Sequence, residues 1–299
     1  MQPNPVLKKL GFSNDDRVII IHTDDIGMCQ ASVDAFADLV DFGLISSGAV
    51  MVPCPWFLEA AKFAVAHPEA DLGAHMTLTS EWETYRWGPV STRDPETGLM
   101  DEEGFFHKRS EGVWANANPE AATHELEVQI QRALQAGMNL THIDTHMGSV
   151  AHPAIIPGYV QLAVKYGLPL MLPRMTAEDF AARKDVDNQA AEMAVGLINT
   201  LEEMGIPLVD GLSGLELEVA ADRFEQAKQA LKALKPGITH FIIHPSKDTP
   251  ELRHITTSWD CRVADYETFM SEDTREFIKN EGIHVIGYRA LKEIMPPAP

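Results

Sequence analysis

Strand-like and helix-like patterns alternate along this chain, which predicts an α/β protein built as a single-domain, irregular (β/α) barrel of seven or eight parallel strands. Three observations carry that expectation. Short strand-like runs, the β-branched 17–23 first among them, alternate with segments of helical apolar spacing, and Asp and His cluster at the C-terminal ends of four of those runs. The chain has 299 residues and no Pro/Gly/Ser-rich linker or low-complexity tract. That suits one barrel, which takes about 250 residues.

Residues 1–16 read as an N-terminal extension without an apolar leader core, and 17–299 as the barrel. The first strand, 17–23, ends in two adjacent carboxylates, Asp24 and Asp25, followed by the turn Ile26-Gly27. Two like charges side by side repel, so a fold that keeps both ionised calls for a nearby cation. The competing reading is an Asp pair capping the next helix. A helix over 29–42 carries Val33, Phe36, Leu39 and Val40 at helical spacing and stops at Gly43. Strand two is expected over 47–52, a helix over 56–66, and strand three over 71–78 with His75 on it.

Residues 79–118 interrupt the rhythm with Trp82, Tyr85, Trp87, Phe105, Phe106 and Trp114 among Glu81, Arg86 and Asp101. A polar stretch of that length is usually a functional lid, and its aromatic content argues against disorder. It reads either as a sugar-binding surface, with Glu81, Trp82 and Trp87 as substrate contacts, or as a small core of the loop itself. Asn118-Pro119 then starts a helix running to Gly137. Strand four is 141–146, a helix spans 153–166, and strand five is 168–172, followed by Pro173-Arg174. An interrupted helix over 177–204, strand six at 206–210, a helix over 219–234 and strand seven at 239–244 follow. An irregular stretch, 245–263, precedes a helix over 265–281 and a last strand at 284–287.

Charge and cysteine content exclude several function classes. A net charge of -20 and a pI near 4.9 repel phosphate backbones and anionic lipid, so neither nucleic acid nor a membrane is expected as partner. Cys29, Cys54 and Cys261 have no CxxC spacing and read as core fillers rather than a disulfide framework or thiolate site. No apolar run approaches the ~18 residues of a membrane helix, and the chain reads as soluble and cytoplasmic. A small neutral or cationic substrate suits it best, and a homodimer is compatible with it.

The chemistry lies in Asp24 and Asp25, His75, His142/Asp144/His146 and His244, all at expected strand ends. A barrel brings such ends to one face. Side chains at i, i+2 and i+4 of a strand share a face, so His142, Asp144 and His146 can point together, with Asp144 orienting an imidazole. Two neutral imidazoles and one carboxylate make a three-ligand site that leaves positions for water and substrate. Such donors suit zinc, nickel, cobalt or iron, whereas magnesium leans on oxygen and water. One divalent ion, magnesium or zinc, is the expected cofactor.

His22-Thr-Asp-Asp-Ile-Gly27, Gly73-Ala-His-Met-Thr-Leu-Thr79, Thr141-His-Ile-Asp-Thr-His146 and His244-Pro245 resemble, in order and spacing, the motifs of the YdjC-like (ChbG/HpnK) carbohydrate deacetylases, relatives of the polysaccharide deacetylases. The resemblance runs from about Arg17 to Glu293. It implies an irregular barrel with one divalent metal and removal of acetyl from an N-acetylated amino sugar or small chito-oligosaccharide. By position it implies Asp25, His75 and His146 as metal ligands, His142 and Asp144 as supports or alternative ligands, Asp24 as base, His244 as acid and Arg174 as the residue that steadies the base. A His244 near its ordinary pKa of ~6.5 is expected to protonate the departing amine. The chain departs from the family pattern at His22-Thr23, Met147-Gly148 and Ser246. Strand alternation points Asp24 and Asp25 to opposite faces, so their two roles could be exchanged.

Two other readings compete. An amidohydrolase or phosphoesterase usually opens with His-x-His on the first strand, and a phosphorylated substrate calls for clustered basic residues or a Gly-rich loop. A catalytically inactive barrel would bind sugar through 79–118 and tolerate Asp24→Asn without loss of affinity.

Overall fold

The computed structural model describes residues 3–181 and 188–297. Among these residues, seven parallel strands form one curled sheet: β1 (Arg17–Ile26), β2 (Ser47–Val50), β3 (Leu72–Met76), β4 (Ile143–Thr145), β5 (Gly211–Gly214), β6 (Gly237–Ile243) and β7 (His284–Val285). Their order is β4-β3-β2-β1-β6-β5, with β7 paired to β1. β1 is central because Val18 to Ile21 are apolar on both faces, as a strand covered on two sides requires.

Single bridges carry the curl further, from Ile143 to Leu170 and from Pro173 to Val209, and Asp210 donates its N–H to Ile238 at 2.7 Å. The expected strands at 168–172 and 206–210 are thus reduced to isolated bridges, and regular pairing resumes at β5. Pro169, Pro173 and Pro207 explain this, since proline offers no N–H to a ladder.

Alternation sorts side chains into two layers. Ile19 and Ile21 pack outward with Leu39, Leu231 and Phe269 of the surrounding helices. Val18 and Ile20 face inward with Ile238, Tyr288 and Leu291, joined by Val6 and Leu7 from a short helix, Pro5–Lys9, inside the stretch read as an extension. The end of the barrel away from the strand tips is therefore an apolar plug.

The helices follow the expected order with local differences. Gln30–Phe42 ends at Gly43 in the left-handed conformation, and Pro119–Gln135 starts from Asn118, whose side chain accepts from the Glu120 and Ala121 N–H groups. The helix expected over 177–204 is represented by Ala177–Ala181 and Asn188–Glu203, and its positions 182–187 lie outside the described residues. The helix expected over 265–281 is two, Trp259–Phe269 and Glu272–Asn280. Ser271 separates them by accepting from the Asp273 N–H, which makes it a new N-cap. Helices Pro250–Ile255 and Tyr288–Glu293 also form where none was expected.

The 79–118 segment is neither disordered nor a core of its own. Leu99, Phe106, Val113 and Trp87 join the main hydrophobic cluster. Buried Glu125 accepts from the N–H groups of Val90 and Ser91 at 3.1 and 2.8 Å, which pins the segment to helix Pro119–Gln135. No described helix is long and apolar enough to cross a membrane. Cys29, Cys54 and Cys261 are buried free thiols.

Candidate metal centre

The inner face of β1 reads Val18, Ile20, His22, Asp24, grading from apolar plug to charged tip. At the tip the alternation is broken. Thr23 pairs with Gly48 and Ile26 with Val50, so β1 spends one more residue than β2 over that span, a β-bulge. Asp25 takes it up at φ 61, a left-handed conformation that Asp tolerates better than most residues. The bulge turns both acids toward one nitrogen: His75 Nε2 lies 3.9 Å from Asp24 Oδ2 and 3.4 Å from Asp25 Oδ1.

His75 comes from β3, whose neighbours Ala74 and Met76 pack outward. His142, Asp144 and His146 do share the inner face around β4, with Ile143 outward, as alternation requires. His146 stands one residue beyond β4, in a tight turn with Met147 at φ 52. His244 follows β6 directly.

Three buried atoms converge: Asp25 Oδ1, His75 Nε2 and His146 Nδ1 form a group that could hold a metal ion. Asp25 Oδ1 lies 3.1 Å from His146 Nδ1 and has no hydrogen-bond partner of its own. Atoms bound at ~2.1 Å to one ion, at angles of about 90–109°, lie about 3.0–3.4 Å apart. Both contacts of Asp25 Oδ1 fall in that range, so the residues fit a divalent ion. The second nitrogen of each imidazole meets a carboxylate, His75 Nδ1 with Asp144 Oδ1 at 2.9 Å and His146 Nε2 with Glu81 Oε2 at 3.0 Å. Such partners fix which nitrogen faces a metal.

Arg262 is the arginine beside the acid pair. Its Nη1 donates to Asp25 Oδ2 at 2.8 Å, and its guanidinium lies 5.7 Å from the Trp82 ring centre. Arg174 instead bonds Glu202 at 2.6 Å and Asp210 at 2.8 Å. Nothing in the sequence singled out Arg262, which sits in a stretch expected to be irregular.

Electrostatics match the geometry. Burial pushes the Asp25 carboxyl up, but the charges of Arg262 and then His146 outweigh it and hold it well below the usual range. Burial also pushes Asp24 up, and His75 and the hydrogen bond from His22 reverse that. His146, which burial would lower, is raised to about 9 by Glu81 and Asp25. His75, likewise opposed by burial, is raised by Asp144 and Asp24. The carboxylates thus favour positive charge in this pocket. His244 Nε2 stands 4.0 Å from Asp24 Oδ2, and burial lowers its pKa, which corrects the expectation of an ordinary histidine.

The other expected residues sort by depth. Asp144 supports His75, whereas His142 lies deeper, its Nε2 2.8 Å from His22 Nε2, and is not among the converging ligands. A second convergent group, His22, Asp24, Asp144 and His240, lies at that depth. There both His22 nitrogens are already engaged, by Asp24 and His142, so hydrogen bonding accounts for it. Glu81 reaches the centre through His146, and Trp82 is half-buried beside Arg262. Trp87 is buried, donates its indole N–H to Thr79 O at 2.8 Å and packs 6.1 Å from the His146 ring. It backs His146 rather than facing solvent.

Known proteins resemble this chain along most of its length. A family model described as YdjC-like protein matches residues 18–280. A carbohydrate deacetylase from Thermus thermophilus is 30% identical over 97% of this chain and 99% of its own. One from Thermoanaerobacter pseudethanolicus is 24% identical over 92% and 100%. A crystal structure of a putative cellobiose-phosphate cleavage protein from Enterococcus faecalis shares the fold, with a TM-score of 0.72 at 21% identity, covering 92% of this chain and 99% of that one.

Proposed function

This chain belongs to the YdjC-like family, and on that premise we propose that it is a metal-dependent carbohydrate deacetylase, releasing acetate from an N-acetylated amino sugar or small chito-oligosaccharide. The relatives named carbohydrate deacetylase support the activity. The observation that carries the reading is the convergence of Asp25 Oδ1, His75 Nε2 and His146 Nδ1 beside a second carboxylate, Asp24, outside that triad.

Asp25, His75 and His146 would hold the ion, and two imidazoles with one carboxylate favour zinc over magnesium. A divalent ion there supplies an acidified water and a polarised acyl carbonyl. Asp24 is the base: its Oδ1 is occupied by His22 at 2.7 Å, which leaves Oδ2 toward His75 and His244 to accept the water's proton. His244 starts neutral, because burial lowers its pKa. Once the 4.0 Å gap to Asp24 Oδ2 closes to hydrogen-bond length, it can take that proton and hand it to the departing nitrogen. One proton then serves both steps, and the products are acetate and the free amine. Arg262 keeps Asp25 ionised and oriented. Glu81 and Trp82 border the centre where the sugar would lie.

The test is acetate release from N-acetylglucosamine and its oligomers by metal-loaded protein, with chelation abolishing it. No acetate across a broad panel of acetylated sugars overturns the activity. His75→Ala and His146→Ala should each lose the ion, and one retained equivalent in both overturns the ligand assignment.

A further inference from the structure

β3 ends at Met76, but the chain runs on past the regular pairing of the sheet to Glu81. That extension connects one proposed ligand to the support of another. His75 lies at its start, and at its far end Glu81 Oε2 meets the second nitrogen of His146 at 3.0 Å. The last ladder pair of β3 with β4 is Met76 with Thr145, so the backbone polar groups that follow need partners other than a neighbouring strand.

At Thr77 a side chain supplies them. Gln129, fully buried on helix Pro119–Gln135, accepts from the Thr77 N–H at 3.0 Å and donates to the Thr77 carbonyl at 2.7 Å. An amide both accepts and donates, so Gln129 replaces one step of the ladder that β3 has lost. Its remaining N–H goes to Glu125 Oε1 at 2.8 Å. Glu125 offers only acceptors there, and it also takes the N–H groups of Val90 and Ser91, so it fixes which way the amide faces. The Thr77 hydroxyl donates to the His75 carbonyl at 2.6 Å, which ties the clamped residue back to the ligand. Trp87 holds the rest of the extension, donating its indole N–H to Thr79 O at 2.8 Å and its backbone N–H to Ser80 Oγ at 3.0 Å.

We propose that Gln129, oriented by Glu125, is a positioning residue for the metal centre: it clamps 77–81 as a strut that sets the spacing between His75 and the Glu81–His146 pair. This rests on the reading of Asp25, His75 and His146 as the ligands. The ion and the strut then stabilise each other, because coupling between two sites is reciprocal.

Gln129→Leu keeps the buried bulk and removes the amide. In zinc-loaded protein it should speed zinc release to a chelator about tenfold, the scale on which partners of metal-bound side chains act. Amide hydrogen exchange gives the second readout. In the wild type zinc should slow exchange at 77–81 by about tenfold, and in Gln129→Leu most of that slowing should be lost. Gln131→Gly, on the exposed face of the same helix, is the control: it should lower the melting temperature and leave zinc release unchanged. Zinc release from Gln129→Leu at the wild-type rate, or wild-type exchange at 77–81 indifferent to zinc, overturns the proposal. So does an equal acceleration in Gln131→Gly, since lost stability alone would then account for the effect. If Gln129→Leu does not fold, Glu125→Gln, which keeps the shape and replaces one acceptor by a donor, is read the same way. A wild type that takes up no zinc instead overturns the ligand reading, and the proposal with it.

Discussion

Asp25 carries two burdens at the scale of the residue, a left-handed backbone and a buried charge, and both follow from its place in the bulge. Under the proposed roles, its neighbour Asp24 is the residue that distinguishes base from ligand. Asp24→Asn should retain the ion and lower kcat at least about a thousandfold, measured as acetate release beside metal content. Arg262→Met should leave Asp25 Oδ2 unpaired in a buried site and cost about 3–5 kcal/mol in denaturant unfolding, with Arg262→Met/Asp25→Asn recovering part of it. His146 sets a pH dependence. Its pKa is raised to about 9 from 6.5, so its contribution to stability in metal-free protein is complete below about pH 6.5 and is lost as pH rises through about 9. Since a ligand imidazole must be unprotonated, metal loading near pH 7 should release protons, and affinity should rise with pH. Calorimetry in buffers of different ionisation enthalpy checks the sign. Asp25, His75, His146 and Asp24 were legible as residue types at strand ends. Arg262 was not, because its meaning lies wholly in its contact with an acid 237 positions away.

The same contrast holds at the scale of elements. β1 and β6 were legible from their β-branched runs, as buried parallel strands favour, whereas β2 and β3 were legible from the helices and breaks that flank them. The stretches at 168–172 and 206–210 looked equally apolar, yet their prolines leave single bridges. The 79–118 segment was recognisable as unusual, but its aromatics divide by depth, with Trp87 and Phe106 in the core and Trp82 at the rim. Trp82→Ala should therefore raise KM more than it lowers kcat, with ion content unchanged, in steady-state kinetics on the acetylated sugar. Within the segment Gly98 has φ +67, and a Cβ there would meet Asn116 O at 1.9 Å. Gly98→Ala should loosen the segment, seen as faster proteolysis between 79 and 118.

Across the whole molecule, the curled sheet has one charged end and one apolar end, and each has its own stabiliser. At the apolar end Leu7 is buried against the inner face of β1, so Leu7→Ala should cost about 2–5 kcal/mol by thermal or denaturant unfolding although it lies far from the site. At the charged end a divalent ion at about 100 times its Kd should add about 2.7 kcal/mol, seen as a melting temperature that falls on chelation. The sequence by itself determined the alternation of strands and helices, the acids and histidines at strand ends, and the resemblance borne by four ordered motifs. Those are local properties, written in side-chain period and spacing. Only the tertiary structure decided that a bulge turns Asp24 and Asp25 to one side, that Arg262 rather than Arg174 meets them, and that His142 lies beneath the centre. Those outcomes depend on distances between residues far apart in the chain, which no periodicity records.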